Sequence, residues 1–68
     1  MTPLKQLVLW VIAQGGRVQR HDYHARGTAL ACSAPAQNAA FGTQHPLLVR
    51  EGDECVVTDY GRARGSAW

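Results

Sequence analysis

The stretch LLVREGDECVVTDYGRA, Leu47 to Ala63, constrains the fold more than any other part of this 68-residue chain. Two short runs, Leu47 to Arg50 and Glu54 to Val57, flank Gly52-Asp53, a pair suited to a tight two-residue hairpin turn that needs positive φ. A two-stranded ribbon is marginal in water on its own, so it must lean on other elements. Thr58 then reads as the N-cap of a last helical turn, Asp59 to Arg64. Residues 65–68 are expected to be a frayed tail.

What the ribbon leans on must come from the first 46 residues, and these read as helical. Thr2 is an N-cap candidate and Pro3 suits the first helical position. Leu4, Leu7, Val8, Val11 and Ile12 fall on one face of a 3.6-residue period, and Gly15-Gly16 ends the helix. Leu9 and Trp10 lie off that face. Burial of each contributes about 1.5–3 kcal/mol, so they are covered either by the C-terminal part of the chain or by a second copy. Arg17-Val18-Gln19 fits a short edge strand. RHDYHARG, residues 20 to 27, reads as a short second helix broken at Gly27, and TALAC as a turn or further helical piece. Ser33 is a second N-cap candidate, and the helix it opens is expected to run to about His45, before Pro46. Ala36, Ala39, Ala40 and Thr43 share one face of it. Phe41 belongs to the core in one register and to the surface in the other.

Helix, short strand, helix, helix and hairpin, in that order, resembles the winged helix-turn-helix transcriptional regulators of bacteria and phages. The residues that carry the resemblance are Leu48-Val49, Glu51-Gly52-Asp53, Val57-Thr58 and Gly61-Arg62, which match the family's strand, acidic-glycine turn, second strand and Thr-x-x-Gly-Arg segment. They span about a quarter of the chain. The resemblance implies an α+β fold: three helices plus a C-terminal two-stranded wing, one domain over residues 1–68. The wing would pack through Leu48, Val57 and Cys55. The resemblance also implies a non-enzymatic DNA-binding protein that regulates transcription, of a kind borne by phages or mobile elements, and a cytoplasmic location is expected with it.

The third helix then becomes the expected reader of double-stranded DNA. Gln37, Asn38 and Gln44 are residue types that pair with adenine, and Phe41 can touch a thymine methyl. That helix carries no Lys or Arg, so phosphate neutralisation falls to Arg17, Arg20, Arg26 and Arg50, with Lys5. The expected DNA-binding set is therefore Arg17, Arg20, Arg26, Gln37, Asn38, Gln44 and Arg50. The bland alternative treats the glutamines and asparagine as a solvated face and Arg50 as a partner of Glu54 or Glu51 across the hairpin.

The formal net charge is +2 and unevenly placed. Residues 1–50 hold five Lys and Arg against Asp22, while Glu51, Asp53, Glu54 and Asp59 outnumber Arg62 and Arg64 in the remainder. The acidic hairpin tip repels a DNA backbone and suits a basic protein surface instead. This supports a second reading, a winged-helix module that docks on a protein, such as a small phage factor on a host complex. Leu9, Trp10 and Trp68 are the candidate contacts of a homodimer.

Other chemistries are weakly signalled. His21, His24 and Cys32 fall short of the four spaced ligands of a structural zinc site, and no metal or cofactor is expected. Ser33, His45 and Asp59 lie in no nucleophile motif, so no catalytic residue is assigned. Cys32 and Cys55 sit in no C-x-x-C pattern and read as small buried hydrophobes in a reducing compartment. LVLWVIA is far below the ~20 residues of a membrane span, and no signal peptide is visible.

Overall fold

A computed structural model describes residues 2–42 and 44–68. It has four helices and a three-stranded antiparallel sheet. Helix α1 spans Pro3–Ala13, with the Thr2 hydroxyl accepting the Lys5 N–H at 3.3 Å and proline in its first turn. Its Leu7, Val8 and Val11 are fully buried, as the period requires. Gly15 and Gly16 both take positive φ, which reverses the chain into the sheet. Strand β1, Arg17–Gln19, follows with Val18 turned inward.

The next helical segment, α2, covers residues 20–30 without the break expected at Gly27. It starts as α-helix at Arg20–Asp22, widens to a π turn over Tyr23–Gly27 and tightens again over Thr28–Leu30. Gly27 keeps helical φ of −63°. It is glycine because of what lies beside it: a Cβ there would come within 2.5 Å of the Tyr23 ring and 3.1 Å of the Trp10 ring. The residue read as a breaker is a point of close approach.

Helix α3 spans Ala34–Phe41, opened by the Ser33 hydroxyl accepting the Ala36 N–H at 3.3 Å. It ends four residues before the expected stop at His45. Gly42 is its C-cap, and the chain folds back so that the Leu47 N–H reaches the Ala40 carbonyl at 2.9 Å. Ala40 is buried and Ala36 and Ala39 are half-buried on the inner face; Thr43, assigned to the same face, lies outside the described residues.

Strands β2, Leu48–Glu51, and β3, Glu54–Val57, form the expected hairpin, with Leu48 opposite Val57 and Glu51 opposite Glu54. Gly52 alone in the turn has positive φ, 57°, the requirement of the first central position in a type II′ turn. The ribbon does not stand as two strands. β1 pairs with β3, Val18 opposite Cys55, so the sheet order is β1-β3-β2 with β3 central. Leu48, Cys55 and Val57 face the helices and are buried.

The C-terminal residues are likewise more ordered than a single turn and tail. Helix α4 runs from Asp59 to Ala67, through Gly65 and Ser66. It packs on α1, where Gly65 approaches Ile12 and Leu9 side chains. Leu9 is thereby half-covered within one chain, and Trp10 is half-buried against the core at Gly27. Trp68 lies instead beside Lys5, whose Nζ is 5.6 Å from its ring. Much of the surface assigned to a dimer is thus used inside the monomer. No helix of the described residues is long and apolar enough to cross a membrane.

Candidate nucleic-acid interface

Two edges of the fold meet at Arg50. On one side, Gln37, Asn38 and Phe41 of α3 and Val49 and Arg50 of β2 line an open groove. On the other, Arg20 and His24 of α2 face the hairpin turn across a smaller pocket that Arg50 also lines. The guanidinium of Arg50 lies 4.8 Å over the Phe41 ring, a cation–π stack that orients the charge between the two recesses. Phe41 is half-buried; its inner edge packs on the core and meets the Tyr23 ring in a T-shape at 5.7 Å. Both registers considered for Phe41 are therefore partly satisfied, because the ring is wide enough to serve core and surface together.

The seven expected DNA-binding residues divide into three groups. Arg20, Arg50, Gln37 and Asn38 come together around Arg50. Arg17 stands on the outer edge of the sheet, where its guanidinium donates to Glu54 at 2.9 Å and approaches Glu51 at 3.9 Å. Its charge is compensated locally. The cross-hairpin pairing imagined for Arg50 thus falls to Arg17, because β1 lies next to β3. Arg26 and Gln44 are elsewhere: Arg26 shares a recess with Trp10, Gln14 and Asp22, and Gln44 shares one with His45, Tyr60 and Trp68.

Within the central group the side chains differ in freedom. Asn38 is exposed. Gln37 is half-buried and its Nε2 donates to the Ala31 carbonyl at 3.3 Å, tying the start of α3 to the end of α2. Arg20 Nε donates to His24 Nε2 at 3.4 Å, a weak contact that leaves the rest of the guanidinium exposed. Sequence reasoning missed Tyr23 and His24 as members of this region. The signal was there: Tyr23 is the sole large apolar side chain of RHDYHARG.

Burial raises the Tyr23 hydroxyl above its ordinary range, the neighbouring Cys55 adds to this, and Arg50 offsets part of it. Burial likewise pushes the Cys55 thiol up to about 11, against the pull of Arg50. Both groups are neutral at physiological pH, so the positive field of the region comes from the arginines. Cys32 is exposed rather than buried, and the two cysteines are unlinked. Among the described residues no cluster of three or more His, Cys, Asp or Glu is arranged to hold a metal ion.

Comparison with family models, curated proteins and solved structures finds no match for this chain.

Proposed function

We propose that the protein is a small winged helix-turn-helix DNA-binding protein that regulates transcription without enzymatic activity. The observation that carries this reading is the placement of Arg20 and Asn38 in two adjoining recesses beside the hairpin, with Arg50 shared by both. The element order, a helix, a short strand, two helices and a hairpin, supports it, being the order on which the resemblance rests. In this reading α3 presents Asn38 to base edges, Arg20 and Arg50 hold phosphates on either side, and the hairpin is the wing.

The test is titration of labelled duplex with protein over a range of salt. With few uncompensated cations, the slope of log K against log salt should be shallow, roughly −2 to −3. Replacing Arg20 or Arg50 by glutamine should lower affinity for all sequences and reduce the slope by about 1, while Asn38→Ala should relax sequence preference. Duplex affinity unchanged in all three variants overturns the reading.

A second reading rests on a different observation. Glu51 and Asp53 make the hairpin tip acidic, while the exposed Tyr60 and Trp68 line a separate recess, beside Arg64 and Lys5 respectively. Exposed aromatics with cations over their faces suit a protein partner. Co-purification that returns a protein and no nucleic acid would favour this module over the DNA binder.

A further inference from the structure

The pocket between α2 and the hairpin turn holds about 200 Å³ and is lined by Arg20, Tyr23, His24, Arg50, Asp53 and Glu54, with Cys55 beneath. At the level of Arg50 and Cys55 lies the Tyr23 hydroxyl. Tyr23 is 4% exposed, and its oxygen is buried without a hydrogen-bond partner among the described residues. A buried hydroxyl left unpartnered forfeits its hydration without replacement, and such groups are rare in folded proteins. Arg50 acts on it electrostatically and lies at the margin of hydrogen-bonding range, without the geometry of an ordinary hydrogen bond.

The acidic members of the pocket are not equal. Glu54 is engaged by Arg17 at 2.9 Å, which removes most of its repulsion. The main-chain carbonyl of Asp53 accepts the Arg20 N–H at 2.7 Å, which fixes the turn against the start of α2. Its exposed carboxylate is the one opposing charge in the pocket with no cation within ion-pairing distance among the described residues. Two guanidinium groups, a neutral hydroxyl donor and a histidine remain, in a space that admits a tetrahedral oxyanion together with some of its water. The geometry points to a phosphate seat, in which Arg20 and Arg50 bind the anion's oxygens and the Tyr23 hydroxyl, closed to solvent in this structure, donates to one of them as Arg50 moves onto the anion. The phosphate group is either free or part of a nucleic-acid backbone. The inference deepens the DNA reading in the second case and stands without it in the first.

Thermal melts followed by tryptophan fluorescence test the seat, with sodium phosphate against sodium chloride at matched ionic strength. Phosphate should raise the melting temperature progressively with concentration, and chloride should not. Tyr23→Phe removes only the unpartnered oxygen, so the variant folds; its apparent phosphate affinity should fall about tenfold, the loss of one charge-assisted hydrogen bond. Arg50→Gln should fall at least as far, and Asp53→Asn should bind more tightly. Equal responses to phosphate and chloride, or a Tyr23→Phe variant that responds as the wild type does, overturn the proposal.

The same variants titrated with a short duplex separate the sources. Weaker duplex binding by Tyr23→Phe assigns the seat to a backbone phosphate; unchanged duplex binding with lost phosphate response assigns it to free phosphate. A phosphate response without duplex binding keeps the seat and overturns the DNA reading. Duplex binding equal in wild type and Tyr23→Phe, with no phosphate response, does the reverse.

Discussion

The hydroxyl of Thr58 accepts the Gly61 N–H at 2.9 Å and donates to the Pro46 carbonyl at 2.6 Å. One side chain thus opens α4 and ties it to the segment that enters β2. Gly61 has no side chain because a Cβ there would overlap the Leu47 carbonyl oxygen. The Thr-x-x-Gly element is a structural joint. Thr58→Ala loses an N-cap and a bond to a main-chain carbonyl, and should destabilise by about 2 kcal/mol. Thr58→Ser should keep most of that. Urea midpoints at constant m-value decide it.

Gly27→Ala sets two effects against each other. Alanine is favoured over glycine inside a helix by about 1 kcal/mol. Against this, the added methyl meets the Tyr23 and Trp10 rings at 2.5 and 3.1 Å. Overpacking of this kind costs about 1–3 kcal/mol, so the substitution should destabilise on balance and shift the near-ultraviolet signal of the aromatics. A more stable variant would mean that the helix relaxes freely at its π turn.

The glycines show where a single sequence is readable. Gly52 and Gly15-Gly16 act through their own backbone angles, and the turn and the helix end were evident from neighbouring residues alone. Gly27 acts through the Tyr23 ring one turn earlier and the Trp10 ring seventeen positions earlier, and no local pattern reveals the second. The same distinction separates the strands. The hairpin was legible because its register is set by a two-residue turn; the pairing of β1 with β3 joins Val18 to Cys55 across α2, α3 and β2. Within the candidate site, Arg20, Asn38 and Arg50 could be named from residue type. Their separation from Arg17, Arg26 and Gln44 could not, because it depends on which carboxylate, carbonyl or groove each one meets after folding.

Stability should fall in alkaline solution. The Cys55 thiol is raised from 9.0 to about 11 in the folded chain, mainly by burial, and Tyr23 is raised in the same direction. Both groups are neutral when protonated, and the unfolded chain loses its protons first. Their contribution is therefore complete below about pH 9 and is lost as pH climbs toward the folded values. For Cys55 the loss is of order 2–3 kcal/mol between about pH 9 and 11. Urea midpoints near pH 8 and pH 10.5 should drop for the wild type and drop less for Cys55→Ala. Parallel decline in both proteins would remove the thiol as the cause.

Arg17 and Arg50 offer a controlled comparison of two guanidinium groups on one sheet. Arg17 is compensated by Glu54 and Glu51. Arg50 is held over Phe41 with no carboxylate within ion-pairing distance among the described residues. If the recesses that share Arg50 bind a polyanion, Arg50→Gln should reduce affinity several-fold more than Arg17→Gln, and the salt slope should change for Arg50 alone. Glu54→Gln should release Arg17 and strengthen binding modestly. The surface pair itself is worth only about 0–1 kcal/mol, so none of the three substitutions should unfold the protein. Anisotropy titrations of the three variants at two salt concentrations measure this directly. Equal losses for both arginines would mean that the ligand approaches the outer edge of β1, away from α3.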